Sequence, residues 1–276
     1  RFPGLILMLP LLGFRPAAPE HGAAWLTLLD VGQGLAAVVR TETRALVFDT
    51  GPRYKARFDA GSAAGVPPRR RWGISRIDTL VVSHGDGDHP GGLASVVAAR
   101  DLARLLVGDG VSGGEGGEPC RAGQRWRWDG VEFTILHPAG EGHGENDGSC
   151  VLRVTTAGAS LLLTGDIEAA AERRLLARDP ATLDVDVLQV PHHGSRTSST
   201  PPFVAATAPR LALVASGWRN RYGLPDPGVV ARYRDLGGDM VDTADSGAIE
   251  VRLPARPGPL EVRRQRVRDR RFWHAP

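Results

Sequence analysis

The sequence predicts an α/β protein whose strands end in metal-binding side chains, and three observations carry that expectation. Short apolar runs alternate with helical patterns along most of the chain. Several of those runs stop abruptly at glycine, aspartate or histidine. One of them, Ile77 to Val82, opens into Ser83-His84-Gly85-Asp86-Gly87-Asp88-His89-Pro90-Gly91-Gly92, the stretch around which the rest is organised.

In that stretch His84, Asp86, Asp88 and His89 fall within six residues, separated only by glycines. Glycine lets the backbone turn sharply, so side chains so spaced can converge on one point. Two imidazoles and two carboxylates form a mixed nitrogen and oxygen set, which suits zinc, manganese or iron better than calcium. A plain polar turn into the helix begun at Gly91-Gly92-Leu93-Ala94 would need one Asp or Gly, not all four ligands.

At 276 residues the chain can bury a full core as one large domain or two small ones. Its 42% hydrophobic and 24% charged residues are ordinary for a globular protein. The formal charge is +3, and Lys55 is the only lysine, so the positive charge is nearly all arginine. A GC-rich genome explains that bias; a preference for phosphate, which pairs with guanidinium forks, would look the same.

The first segment, Phe2 to Phe14, is apolar but short of the ~20 residues that span a bilayer. It lacks a signal-peptide cleavage region. It reads as the tail of a transmembrane helix, an apolar strand or a disordered stub, and the first is the expectation, with Arg15 to Pro19 as a linker. Residues 1–24 are thus assigned to the end of a membrane segment and its linker, 25–253 to the main domain, and 254–276 to an arginine-rich tail.

From Trp25 the pattern is strand, turn, strand: Leu26 to Leu29, Leu35 to Val39 and Ala45 to Phe48, with Asp30 and Asp49 at strand ends. Each Asp either closes its turn or orients a metal ligand from behind. Residues 53–73 read as loop, because Pro67-Pro68 and Arg69-Arg70-Arg71 oppose a regular helix. That basic run is a solvated loop or a contact to a nucleic-acid backbone. Leu93 to Leu106 reads as helix then strand, and 108–118 as a glycine-rich loop. Trp126 to Ile135 reads as two strands about an Asp129-Gly130 hairpin turn, with the tryptophans as core or sheet face. His137 and His143 stay outside the site.

Cys150 opens a strand over Val151 to Thr155, and Leu161 to Leu163 forms another that ends in Thr164-Gly165-Asp166. A helix over 167–178 follows. The strand Val185 to Val190 then ends in Pro191-His192-His193-Gly194-Ser195. Three strands therefore deliver His or Asp at their carboxyl ends: 84–89, 166 and 192–193. If the strands lie in packed sheets with matching ends, the ligands meet along one edge. Alternating elements follow at 201–207, 211–215, 228–236, 240–243 and 249–253. Beyond Pro254 no hydrophobic period persists, and 261–271 carries six arginines against Glu261 and Asp269. A disordered tail is expected there, with contact to nucleic acid or anionic headgroups as the other reading.

The spacing His-x-Asp-x-Asp-His, with a later strand-end Asp and a final His, resembles the metallo-β-lactamase fold superfamily, in which His-x-His-x-Asp-His is usual. Asp86 stands where the second histidine would be. This variant, taken with Leu29 to Gly34 (LDVGQG), Phe48 to Gly51 (FDTG), Leu163 to Asp166 (LTGD), Pro191 to Ser195 (PHHGS) and Asn220 to Gly223 (NRYG), resembles the carboxy-terminal domain of the ComEC DNA-uptake channels. The likeness covers roughly residues 25–253. It departs at Leu35, Gly148 and Leu224-Pro225-Asp226, where that family usually has Asp, Asn and a His-Pro-His run.

The resemblance implies a four-layer αββα sandwich with two divalent cations, manganese or zinc, at one edge of its sheets. One cation would take His84 and Asp86, the other Asp88 and His89. Asp166 would bridge, and His192 or His193 would complete the set. The implied activity is metal-dependent DNA cleavage during natural transformation, acting on the strand that is not transported, with Asp88, Asp166 and His193 as catalytic residues and no organic cofactor. Ser195 and Asn220 are candidates to steady phosphate, although Ser195 could equally cap a turn. Partners would be DNA and the membrane part of the same chain, in an inner-membrane protein whose domain faces the periplasm. The rivals are another hydrolase of the superfamily, acting on a lactam, thioester or phosphorylated small molecule, and a metal-stabilised module that grips DNA without cutting it. Cys120 and Cys150, the only cysteines, could be buried thiols; the resemblance favours a disulfide, since a domain that meets incoming DNA faces outward.

Overall fold

A computed structural model describes residues 17–55, 58–59, 76–98, 102–112, 114, 116–138, 142–144 and 146–269. The apolar stretch Phe2 to Phe14 and the basic run Arg69 to Arg71 lie outside them. Two mixed sheets pack face to face. The first has the spatial order β17 (Glu261–Arg264), β16 (Ile249–Leu253), β1 (Ala24–Leu28), β2 (Ala37–Arg40), β3 (Ala45–Phe48), β6 (Thr79–Val82), β7 (Leu105–Val107) and β8 (Glu118–Pro119). The second has the order β15 (Asp239–Asp242), β14 (Leu211–Val214), β13 (Val187–Gln189), β12 (Ser160–Leu163), β11 (Val151–Thr155), β10 (Val131–His137) and β9 (Arg125–Trp128). A small ribbon of β4 (Arg53–Lys55) and β5 (Phe58–Asp59) stands apart, inside a stretch that the sequence reads as loop.

Strand side chains alternate between faces, and here both faces are covered. Leu46 and Phe48 of β3, Val81 of β6, Leu161 and Leu163 of β12, and Leu211 and Leu213 of β14 point into the core between the sheets. Their neighbours Leu162, Leu188, Ala212 and Val214 meet a second apolar cluster with helices α2 (Ala169–Arg178), α3 (Pro201–Thr207) and α4 (Pro227–Asp235). Val47, Leu80 and Val82 meet α1 (Leu93–Ala98) on the far side of the first sheet. Burial on both faces is why these strands read as unbroken apolar runs. The result is the expected αββα sandwich.

β3 runs parallel to β6, and β12, β13 and β14 run parallel to one another. Their carboxyl ends therefore open on one edge, and the turns that follow carry the candidate ligands. The Asp129-Gly130 turn joins β9 to β10 with φ of 46° and 86°, the positive values that a two-residue hairpin needs. Cys120, just after β8, and Cys150, just before β11, form a disulfide with Cα atoms 5.8 Å apart. It ties the first sheet to the second, and Cys150 N–H also donates to Ser83 O at 2.9 Å, directly behind the metal-ligand turn.

The tail corrects an expectation. Glu261–Arg264 is no disordered tail but β17, paired antiparallel with β16, followed by the short helix α5 (Gln265–Arg268). Arg266 of α5 reaches Asp30 at 2.5 Å, so this segment is fastened to the turn that follows β1. No helix among the described residues is long and apolar enough to cross a membrane.

Candidate metal centre

β6 ends at Val82, and the chain turns through Ser83 to His89 before α1 begins. A Cβ at Gly85 would lie 2.2 Å from the Gly110 carbonyl oxygen, so only glycine lets the turn close against that loop. From β12 comes Asp166. From β13 comes the turn Pro191–Gly194, in which His192 and His193 both take positive φ, re-aiming two adjacent imidazoles at the end of one strand.

These deliveries converge. His89 Nε2 lies 3.2 Å from Asp166 Oδ1, while His193 Nε2 lies 3.3 Å from both Asp166 Oδ2 and Asp88 Oδ2. His89 Nε2 is 3.9 Å from Asp88 Oδ1, and His84 Nε2 is 3.7 Å from Asp86 Oδ2. The His84 and His89 rings are 4.2 Å apart, centroid to centroid. His84, His89, His193 and Asp166 are buried, whereas the Asp86 side chain is 40% exposed at the rim.

The outer nitrogens fix the tautomers. His193 Nδ1–H donates to Ala215 O at 2.7 Å, and His89 Nδ1–H donates to Asp49 Oδ2 at 2.8 Å. The Asp49 carboxylate can only accept, so the Ser83 hydroxyl donates to it at 2.7 Å, which leaves Ser83 Oγ to accept from His84 Nδ1–H at 3.0 Å. All three rings thus turn Nε2 inward, the arrangement that metal-ligating histidines adopt. Those three Nε2 atoms and Asp166 Oδ1 are buried with no hydrogen-bond partner. Four buried polar atoms left unpaired at one point would be costly, and a divalent cation satisfies them together. The residues fit a metal. Two compact triads are available, His84 with His89 and Asp166, and Asp88 with His89 and His193.

Charge completes the picture. Burial opposes a charge on His193, but the carboxylates of Asp166 and Asp88 beside it outweigh that cost and raise the imidazole to about 9. Burial likewise opposes a charge on His89, yet Asp166 and Asp49 hold it well above its ordinary value. Burial would raise Asp88, but the imidazoles of His193 and His89 beside it bring it down to about 2. Asp166 is buried too and is held well below the carboxylate range by His193 and His89. His84 moves the other way, lowered by burial and by the charge on His89. Protons here occupy ground that suits cations.

Among the predicted ligands, His84, Asp86, Asp88, His89, Asp166 and His193 share the centre. His192 does not join either triad. Its Nε2 stays 3.8 Å from Asp166 Oδ2, while its Nδ1 is 3.1 Å from Glu168 and 3.2 Å from Thr197 Oγ1. Asp49 serves as the orienting carboxylate, whereas Asp30 closes its own turn through Gly32 N–H and pairs with Arg266. Ser195 Oγ pairs with Thr197 Oγ1 at 3.0 Å within its own turn. Asn220 has its amide engaged by its own loop: Nδ2 donates to Gly217 O and Leu224 O, and Oδ1 accepts from Leu224 N–H. At the departures, Leu35 is a core residue, and a side chain at Gly148 would strike Asp109 Cβ at 2.4 Å.

Sequence reasoning missed two supports. Ser83 links Asp49 to His84, and Gln189 ties the ends of β12 and β13. Gln189 Oε1 accepts from Thr164 N–H, the Thr164 hydroxyl and Gly165 N–H, and its Nε2 donates to Val190 O. A polar residue closing an otherwise apolar strand was the available signal for both.

Residues 29–218 match the family model described as the metallo-beta-lactamase superfamily. The chain belongs to that superfamily. Members of the metallo-beta-lactamase superfamily are generally metal-dependent hydrolases. The chain is 38% identical over 98% of its length to "Competence protein ComA" of Neisseria gonorrhoeae, covering 37% of that protein. It is 35% identical over 81% of its length to "Recombination protein 2" of Haemophilus influenzae, covering 28% of that protein. The chain thus spans about a third of these relatives, as a metallo-beta-lactamase domain like that of competence proteins. CmlA, a diiron β-hydroxylase from Streptomyces venezuelae, shares the fold at TM-score 0.52 and 14% identity, over 91% of this chain and 55% of that one.

Proposed function

We propose that this domain hydrolyses the phosphodiester bonds of DNA during DNA uptake, in a metal-dependent reaction, on the strand that is not transported. The observation that carries the reading is the convergence of three inward Nε2 atoms and Asp166 Oδ1, all buried and unpartnered, on one point. The similarity to competence and recombination proteins supports DNA as the substrate.

Asp88, His89 and His193 would hold one cation and His84 with Asp86 the other, with Asp166 within reach of both sets. His89 turns a single nitrogen inward and so would serve one cation, which divides the overlapping triads. Hard carboxylates among the ligands favour manganese, with zinc the other candidate. When bound, the cations supply Lewis-acid stabilisation to phosphate oxygens and acidify water. The chain does the rest. Asp49 and the Ala215 carbonyl keep the protons of His89 and His193 on Nδ1, so Nε2 stays free to bind. Ser83 does the same for His84. The sealed inner side of the cluster excludes water, and Asp86 at the rim leaves the approach from solvent open. Ser195 follows His193 in the same turn, and meeting phosphate would require its hydroxyl to exchange Thr197 for the substrate.

The domain sits outside the cytoplasm, joined to a membrane-embedded part of the same protein. The Cys120–Cys150 pair supports this, because structural disulfides persist in oxidising compartments. Incubation of the purified chain with manganese and labelled single- or double-stranded DNA tests the reading. Cleavage that disappears with chelator is expected. Tight binding without cleavage across a range of metals would overturn hydrolysis in favour of a module that only grips DNA.

A further inference from the structure

Loop 217–224 carries surface chemistry that the metal centre does not use. Trp218 is 52% exposed and Tyr222 58% exposed. Each lies under a guanidinium from the next or preceding residue: Arg219 Cζ is 4.4 Å from the Trp218 ring centroid, and Arg221 Cζ is 4.8 Å from that of Tyr222. From Trp218 to Leu224 the loop contains two arginines and no acid.

The loop is also stiff. Asn220 N–H donates to Gly217 O at 3.0 Å, and its side chain staples Gly217 O at 3.1 Å to both backbone groups of Leu224 at 2.7 and 3.0 Å. Arg219 is held at φ 51°, a left-handed conformation that a non-glycine residue rarely adopts. Aromatic rings shown to solvent on a braced backbone are preorganised for a ligand.

Both ends of the loop are tied to the metal centre. Upstream, the Ala215 carbonyl accepts from His193 Nδ1–H, and Gly217 N–H donates to Gln33 Oε1 at 3.3 Å. Downstream, Asp226 N–H donates to Gly194 O at 2.9 Å. Gln33 belongs to the turn that leads into Leu35, whose N–H donates to Asp88 O at 3.2 Å. The loop that carries the exposed rings is therefore anchored at both ends to backbone around the site.

We propose that loop 217–224 is a stacking platform for single-stranded DNA, with Trp218 and Tyr222 receiving unpaired bases and Arg219 and Arg221 meeting the backbone. The idea rests on the phosphodiester reading and narrows its substrate to an unpaired strand. Every base has a π-face, so stacking on aromatic rings holds a strand without reading its sequence. A duplex keeps its base faces stacked on one another and presents none. Guanidinium groups serve both partners, through phosphate oxygens and ring faces. In this view Asn220 is a positioning residue for the platform and does not itself contact phosphate.

The test compares three fluorescent probes by anisotropy on the 276-residue chain: a fifteen-residue oligothymidylate, an abasic strand of equal length and a duplex. Binding is measured in chelator, and again in manganese with phosphorothioate linkages that resist cleavage. The oligothymidylate should bind tightest. Trp218→Ala or Tyr222→Ala should raise its Kd about 5- to 150-fold, the range for losing one base–aromatic stack, and bring it toward the abasic value. Trp218→Phe should recover part of the loss. Arg219→Ala with Arg221→Ala should flatten the slope of log K against log salt by about 1.4. Circular dichroism confirms that each variant is folded. Equal affinity for the abasic strand or the duplex, or alanine variants within twofold of the wild type, would overturn the platform. DNA cleavage with those binding results leaves the hydrolase reading standing and removes the platform. Ring-dependent binding with no cleavage in any metal does the reverse.

Discussion

The carboxylate of Asp49 accepts the Nδ1–H of His89 at 2.8 Å, and both side chains are sealed from solvent. The same carboxylate takes the Ser83 N–H at 2.6 Å and the Ser83 hydroxyl at 2.7 Å. One acid thus orients two ligands, His89 directly and His84 through Ser83. Asp49→Asn keeps the volume but weakens the acceptor, and a 10- to 100-fold loss of metal affinity is expected, as is usual when such a partner is removed. Calorimetric titration with manganese on protein shown to be folded measures it. An unchanged affinity would reduce Asp49 to a packing residue.

The adjacent histidines separate cleanly. His193 is buried against Asp88 and Asp166, while His192 is held away by Glu168 and Thr197. His193→Ala should lose bound metal, and His192→Ala should keep the full complement. Asp88→Ala with Asp166→Ala should abolish stoichiometric uptake in a chain that still folds. Elemental analysis after gel filtration reads all three. Two metals per chain in the double variant would refute the ligand assignment.

Acid and alkali should act on the metal-free chain through different residues. His193, raised to about 9, stabilises the fold fully below its unfolded value of about 6.5 and loses that contribution as pH rises through 9. Asp88, brought down to about 2, contributes above about 3.8 and loses its contribution as pH falls through 2. The chelated chain should be most stable between roughly pH 4 and 6.5. Most of the stabilisation from His193 should be gone by pH 9. A bound cation replaces the proton, so loading at pH 7.5 should release protons and blunt the alkaline loss. Thermal melts across pH with and without chelator check the first part, and calorimetry in buffers of different ionisation heat checks the second. A chelated chain that stayed equally stable from pH 6 to 9 would contradict it.

The candidate ligands were legible because they lie at the ends of apolar runs, and a strand-end His or Asp declares itself locally. The network behind them was not. Asp49 meets Ser83 and His89 across 34 and 40 positions of sequence, and only the parallel pairing of β3 with β6 brings them together. β17 escaped for a different reason. It is an edge strand with little apolar content, held by its backbone ladder and by ion pairs across to β16 such as Arg252–Glu261 at 3.0 Å and Arg263–Glu250 at 3.8 Å. A hydrophobic period cannot reveal a strand that buries so little. The choice between His192 and His193 was closed to sequence as well, because it turns on two successive left-handed backbone conformations.

The Cys120–Cys150 bond closes a separation of 30 residues and joins the two sheets behind the metal-ligand turn. Closing a loop of that size restricts the unfolded chain and stabilises the fold by about 3–4 kcal/mol in the chain-entropy estimate. Both cysteines are buried, so the replacement should be apolar, and paired Cys→Ala changes serve better than polar ones. The variant should melt roughly 6–16 °C lower, from a few degrees per kcal/mol in a chain near this size. Because Cys150 N–H donates to Ser83 O, loosening this seam should also weaken metal binding, which a purely remote staple would leave alone. Reductant on the wild type should reproduce both effects. Mass spectrometry of unreduced peptides decides the pairing in protein made in an oxidising compartment. Thiols that alkylate at both positions there would remove the disulfide, and with it the support for placing the domain outside the cytoplasm.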